Sequence, residues 1–514
     1  MEGSWLTLIL SMCLMTIILL LLVRRGKFLY TLRKVPYPPA LPIIGNAYQL
    51  CCSPEEAFKK MIKWGQELGD IYLVWVGMRP FIFLYKAEAI QPLLSSSIHI
   101  DKSLEYKYLQ PWLGSGLVTS TGEKWHFRRK LLTPTFHSGL LEVYLKTAIR
   151  EAEVLISCLR KEIGKPAFDI VPYAKRATLD VICDSSMGCN VNAQTNFKNE
   201  YVQAINTLAS ISQRRFLNVW MSFDPIFKLT RWGQKYNHAL GVTHEFVNRI
   251  IAERKAEWKA KKYRNCSEQS NKHQALLDLL LELSQDGKVL TDDDIRDEVN
   301  TFMFAGHDTT ATSVSWILYA LGRHPEYQEK VLNEYYEVTK TKQLTLDVLS
   351  KLTWLEACIK ETWRVYPVAP LIARQIYHPI TILGHDIPIG STVLVNSFLL
   401  HRDPRYFPEP DTYKPERFLP NGPKYPPYAF IPFSAGSRNC IGSKYAIMIV
   451  KILSLFILKN FHVISLDTED QLRFSSELVL HNANGLRLKI TPRKQELDVI
   501  ILHSMHSNKV KEKC

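Results

Sequence analysis

The residues best equipped for chemistry in this 514-residue chain lie in Phe433-Ser-Ala-Gly-Ser-Arg-Asn-Cys-Ile-Gly442. Gly436 and Gly442 let backbone N–H groups approach the sulfur of Cys440, and a helix start is expected just after it. Both features favour the thiolate, the form of cysteine that binds metal. Arg438 can make charge-assisted hydrogen bonds to an anionic group on a ligand. Upstream, Ala305-Gly-His-Asp-Thr-Thr310 sets the carboxyl of Asp308 beside the hydroxyl of Thr309, a pairing suited to moving protons. A threonine bonding back to its own helix is the bland alternative. Glu361-Thr-Trp-Arg364 places opposite charges on one helix face, and Trp125-His-Phe-Arg-Arg129 reads either as an anion cradle or as a basic face in water. His126 and His307 read as polar packing rather than as ligands. The other nine cysteines form no C-x-x-C pair, so neither a zinc site nor a disulfide framework is indicated.

These residues need elements to hold them. Thr291 reads as an N-cap, followed by three aspartates that oppose the positive end of a helix dipole. The helix can run to about Gly322, roughly 45 Å, with an irregularity predicted at Gly306 and the paired threonines. Strand-like runs are few: Ile71–Val76, Phe81–Leu84, Ile380–Leu383 and Thr392–Val395. Helical periodicity dominates 140–260 and 291–365, so the expected class is mainly α with a small β region (α+β). Lys259 to His273 is polar and aperiodic and reads as a loop.

Trp5 to Val23 is a run of 19 residues without charge, enough to cross a hydrocarbon core of roughly 30 Å. Arg24, Arg25 and Lys27 follow it and no small-x-small cleavage site does, so it reads as a retained transmembrane anchor with the remainder on the cytosolic side. Four prolines between Val35 and Gly45 mark a stiff hinge or an ordinary linker. The expected layout is an anchor with its basic flank over 1–27, a hinge over 28–50, one catalytic domain over 51–495 and a basic tail over 496–514. The net charge of +14 is spread along the chain without a nucleic-acid motif. It suits an anionic membrane surface and an acidic protein partner instead.

Phe433 to Gly442 matches F-x-x-G-x-R-x-C-x-G at each fixed position and resembles the haem-binding loop of the cytochrome P-450 superfamily. The resemblance implies that Cys440 is the axial iron ligand of haem b (iron protoporphyrin IX), with Phe433, Gly436, Arg438 and Gly442 shaping its loop. It implies that Trp125 and Arg129 hold one propionate and Arg374 the other region. Arg417, in Pro415-Glu-Arg-Phe418, would close a buried structural triad with Glu361 and Arg364. Asp308 and Thr309 would be the acid–alcohol pair, on a helix that opens locally for dioxygen. The likeness runs from the anchor to about residue 493. Phe302 to Ala311, with Glu298-Val299 before it, resembles family 4 and an insect-like member. Ala305 departs from the glutamate that esterifies haem in many of that group; a methyl cannot form the bond, so non-covalent haem is expected.

The implied activity is insertion of one atom of dioxygen into a C–H bond of a hydrophobic substrate: a fatty acid, a terpenoid or juvenile-hormone-like lipid, or a xenobiotic. The chain has no flavin or nicotinamide motif, so NADPH electrons must come through a separate NADPH-cytochrome reductase, with cytochrome b5 as a second donor. Docking is expected on a basic face that includes Arg128, Lys130 and Lys444. The expected location is the endoplasmic reticulum (microsomal) membrane. Ser103–Val118, Arg214–Pro225, Val368–Ile372 and Leu478–Leu480 are the candidate pocket segments. The rivals are a haem-thiolate isomerase or dehydratase, which tends to lose the acid–alcohol pair, and a non-catalytic membrane carrier of haem or lipid.

Overall fold

Period-two apolar runs followed by long amphipathic stretches give a small sheet at one end of a helical body. The computed structural model describes residues 2–136, 138–196, 199–218, 220–264, 275–285, 287–340 and 343–493. The side chains of 2–4, 14, 17, 18, 21, 138, 139 and 261–264 stand outside that description, as do the predicted tail and residues 265–273 of the predicted loop.

Helix α1 (Glu2–Thr31) exposes Trp5, Leu6, Leu10 and Met15, whereas Phe28, Leu32 and Val35 are buried against the sheet. Arg25 lies over the Trp75 ring, 5.1 Å from its centroid. Among the described residues no helix is long and apolar enough to cross a membrane; Leu14, Ile17, Ile18 and Leu21 are among the side chains not described. Helix α2 (Pro54–Leu68) starts on Ser53, whose hydroxyl accepts from the Glu56 amide, with Pro54 in the first turn where its missing N–H costs nothing.

The sheet has four strands. β1 (Ile71–Val76) and β2 (Arg79–Leu84) form a hairpin, with Ile71 opposite Leu84. β3 (Leu371–Gln375) and β4 (Thr392–Asn396) arrive from far along the chain and complete the order β1-β2-β4-β3. β2 and β4 run parallel, Phe81 beside Thr392, and the other pairs are antiparallel. Of these strands only β3 escaped the sequence reading. Helix α3 (Ala87–Leu94) caps the sheet through Ala89, Ile90 and Leu93.

The helical body follows: α4 (Gly122–Leu132), α5 (Ser138–Leu159), α6 (Val171–Ile182), α7 (Glu200–Leu217), α8 (Arg231–Arg264), α9 (Asp292–Arg323), α10 (Thr353–Val365) and α11 (Ser443–Asn460). A late hairpin, β5 (Phe474–Glu477) and β6 (Val479–Asn482), pairs Ser476 with Leu480. Helix α8 continues to Arg264, so the loop expected from Lys259 begins later, because Lys and Ala there sustain helix.

Helix α9 begins where its cap predicts, the Thr291 hydroxyl accepting from the Asp294 amide at 3.1 Å. It is unbroken through Gly306, contrary to the predicted irregularity. A Cβ at Gly306 would sit 2.7 Å from Cδ1 of Ile182, so the glycine serves close packing on α6 rather than a break. Ile317, Leu318 and Leu321 of α9 are buried in one core with Ile452, Leu453 and Leu458 of α11. Each such side chain contributes about 1.5–3 kcal/mol relative to exposure, which fixes the long helix against the helix that follows Cys440.

Candidate functional site

A cavity of about 470 Å³ lies between α9, the sheet and the loop ahead of α11, and both sequence-predicted chemical segments reach it. Cys440 opens into it, as do Phe433, Arg438 and Gly442 from the same loop and Ala305, Gly306, Thr309 and Thr310 from α9. Trp125 and Arg129 of α4 complete that part of the wall. The walls farther away are apolar, with Val74, Phe81 and Phe83 from the sheet, Leu109, Phe216 from α7, and Leu478 after β5.

The loop geometry explains its residue choices. The Cys440 amide donates to the Phe433 carbonyl at 3.0 Å, closing a tight turn. Gly436 sits at φ +75, and a Cβ there would collide with the Leu94 carbonyl oxygen, so this position requires glycine. Gly442 has φ −89 and a Cβ there would meet only the Phe136 ring at 3.8 Å, an ordinary contact, so the turn it was expected to permit does not need glycine; its amide serves the sulfur. Burial pushes the Cys440 thiol up, while the Gly442 N–H and the nearby Arg129 charge pull it down. A cation bound at the sulfur is what would complete ionisation.

Beside the cysteine lies a group of cations. Arg438 donates to the carbonyls of Ile100 (3.0 Å), Val118 (3.3 Å) and Ser120 and lies 4.9 Å from the Trp125 ring centroid. Arg374 is 2 % exposed and donates to its neighbour's carbonyl, that of Ala373. Arg129 donates to the carbonyl and side-chain oxygen of Asn439, each at 2.8 Å. Lys102 joins them, Nζ 3.5 Å from the Tyr106 hydroxyl. Burial, then Arg374, lowers Arg438 to about 9; burial with Arg374 and Arg438 pushes the Lys102 amine well below its usual range. Among the described residues none of the four is ion-paired with a carboxylate. Buried cations without anions are costly, so the arrangement fits a ligand that brings two carboxylates alongside a metal at Cys440, as the propionates of iron protoporphyrin do. Lys102 was missed in the sequence, because one lysine in an irregular loop carries no pattern.

Behind the loop, Arg364 meets Glu361 with two bonds of 2.8 Å, both side chains fully buried. The remaining Arg364 donors reach the carbonyls of His401 and Pro410, and Arg417 lies 3.4 Å from Glu361. His401, also unforeseen, joins α10 to the cysteine segment. Its Nδ1 faces the Trp363 carbonyl at 3.3 Å and its Nε2 accepts from the Ile431 amide at 3.0 Å. Burial lowers it to about 3, which keeps it neutral for both roles.

The proton-handling pair is split. Thr309 faces the cavity but bonds back to the Ala305 carbonyl at 2.6 Å, the bland alternative weighed above. Asp308 is not in the wall; it points into the protein, where Lys175 of α6 lies 2.7 Å from Oδ1. Burial, the largest single influence, raises this carboxyl, but Lys175, His481 and His307 together outweigh it and hold Asp308 at about 2. His307 is buried with Nδ1 2.7 Å from the Met303 carbonyl, and neither it nor His126 lines the cavity.

One surface expectation is corrected. Arg128 is 3 % exposed and paired with Asp294, with Glu298 3.6 Å away, so it cannot present charge to a partner. Lys130 and Lys444 are exposed. Among the described residues of the predicted pocket segment 214–225 only Phe216 and Leu217 reach the cavity, and Trp220 and Phe223 face outward.

The sequence profile of the cytochrome P450 family matches residues 35–490. Cytochrome P450 4c3 of Drosophila melanogaster is 39% identical over 489 residues, covering 91% of both chains. Cytochrome P450 4V2 is 41% identical over 468 residues in Mus musculus and 40% in Homo sapiens, covering 89% of each chain.

Proposed function

The chain belongs to the cytochrome P450 family and is a haem-dependent monooxygenase, and from that premise we propose that it hydroxylates lipid-like substrates at the cytosolic face of the endoplasmic reticulum membrane. The family binds haem, held here non-covalently, and works with a redox partner, a hydrophobic substrate and dioxygen. We assign the partner as NADPH-cytochrome reductase, with cytochrome b5 as a second donor, docking over exposed Lys130 and Lys444. Helix α1 is read as the membrane anchor because its uncharged run precedes Arg24 and Arg25.

The observation that carries the site assignment is the group of four cations without carboxylates beside the Cys440 loop. Arg129, Arg374, Arg438 and Lys102 would hold the propionates, Trp125 would pack the porphyrin edge and Cys440 would ligate the iron. Bound haem supplies dioxygen activation, favoured by electron donation from the thiolate. The protein's own residues do the rest. Apolar side chains from Val74 to Leu478 exclude water and hold an alkyl substrate by burial. Thr309 Oγ1 passes a proton to the cavity once it leaves the Ala305 carbonyl, and Asp308, a carboxylate while paired with Lys175, relays a proton it takes from solvent after releasing Lys175. Glu361, Arg364 and Arg417 act by fixing the loop. Ala305 offers no carboxyl, consistent with non-covalent haem.

The test is the absorption spectrum of the reduced, carbon monoxide-bound protein beside that of Cys440→Ser. A strongly red-shifted Soret band lost in the variant is expected. A band typical of histidine ligation in well-folded protein refutes the assignment.

A further inference from the structure

Glu105 is the one carboxylate among the residues that line the cavity. It stands on the 3-10 turn Leu104–Leu109, whose Tyr106 and Leu109 also form wall. One of its oxygens pairs with Arg79 at the start of β2. Arg79 is held in turn by Thr392 Oγ1 at 3.0 Å and Gln375 Oε1 at 3.4 Å, so its charge is engaged by the sheet and by Glu105 and it does not itself line the cavity. The second carboxylate oxygen, Oε2, is buried with no hydrogen-bond partner among the described residues. The three cations in the wall, Lys102, Arg129 and Arg438, belong to the haem-facing group described above. Uncharged polar side chains such as Ser103, Tyr106, Gln213 and Ser476 also line the cavity, but Glu105 is the negatively charged group in that lining, an acceptor with spare capacity.

A buried acceptor without a donor gains from any ligand O–H that reaches it, and a second carboxylate brought beside it meets like charge in a poorly screened place. We infer that Glu105 sets substrate choice, favouring lipids whose polar end donates a hydrogen bond, an alcohol, over lipids that end in a free carboxylate. The inference rests on the reading of this cavity as a lipid-substrate site and deepens it.

The experiment is calorimetric titration of the full-length, haem-loaded protein in detergent with three ligands of one chain length: 1-dodecanol, dodecanoate and methyl dodecanoate. Wild type should bind the alcohol about tenfold or more tightly than the acid. Glu105→Gln should bring the two within about threefold, through weaker alcohol binding and tighter acid binding. Because Glu105→Gln strands Arg79, the double variant R79Q/E105Q is run beside it, and should show the same loss of preference. Both are first checked for an intact carbon monoxide spectrum. Equal binding of alcohol and acid by wild type, or a preference unchanged in both variants, overturns the role of Glu105 while leaving the lipid reading in place. Failure of all three ligands, the neutral ester included, overturns the lipid reading and this inference with it.

Discussion

Replacing Lys175 with methionine removes the only cation within ion-pair distance of Asp308 among the described residues. The pair spans 2.7 Å, with side-chain exposures of 6 % and 1 %, so water screens neither partner. An uncompensated buried charge costs about 3–5 kcal/mol. Spread over a chain of this size, with an unfolding entropy of about 2.1 cal/mol/K per residue, that loss lowers Tm by roughly 3–5 °C. The pH dependence gives a sharper signature. In wild type Asp308 is held at about 2, below its unfolded value, so the pair adds roughly 2 kcal/mol that is present above about pH 4 and lost as pH falls toward 2. In Lys175→Met burial is opposed only by the nearby His481 and His307, both themselves lowered by burial, and the carboxyl rises above its unfolded value. Stability then falls as pH increases, the reverse slope. His481, lowered to about 4 chiefly by burial, stays neutral at pH 7 and does not replace the lost cation. Thermal unfolding between pH 3 and 8 measures both effects, and the double variant K175M/D308N should recover all but about 1 kcal/mol because no buried charge remains. An unchanged slope in Lys175→Met refutes the reasoning, since it means that Asp308 is not a buried carboxylate held by Lys175.

Arg364→Ala leaves Glu361 buried without its bidentate partner and orphans the carbonyls of His401 and Pro410. We expect a loss of about 3–5 kcal/mol and little haem incorporation, read as the carbon monoxide-binding fraction of purified protein; full incorporation contradicts a fixing role. Glu298, fully buried, accepts from the Leu117 amide at 3.0 Å, and burial raises it to about 7. Its folded value exceeds its unfolded one, so roughly 3 kcal/mol present below about pH 4.5 is lost as pH rises through 7. Glu298→Gln should flatten that part of the stability–pH curve, and an identical curve refutes the assignment.

Features encoded locally were legible in the sequence. Thr291 and three aspartates announce α9, and the spacing around Cys440 announces its loop, because caps and turns depend on neighbouring residues. Glu361 and Arg364 were readable as a pair from i,i+3 geometry. What escaped depends on which distant strands and helices meet. β3 reads as apolar pocket rather than strand because its partner lies about twenty residues downstream. Arg128 looks like a surface base until α9 brings Asp294 to it. Neighbouring positions 308 and 309 look like one functional pair, yet a helix turns successive side chains by about 100°, sending one to the cavity and the other to α6.

The clustered cations carry a consequence for how the protein comes to exist. Arg374 and Arg438, both buried, lie close enough to Lys102 and Arg129 for like charges to repel, so the polypeptide without its ligand stores unfavourable electrostatic energy in the region that must also shape the Cys440 turn. A ligand that binds only the folded chain stabilises it by an amount set by its free concentration. On the proposed assignment the porphyrin would be a counter-ion to this protein as well as its redox group. The amount of folded protein in a cell should therefore follow haem supply, so that cofactor availability governs abundance before any substrate arrives.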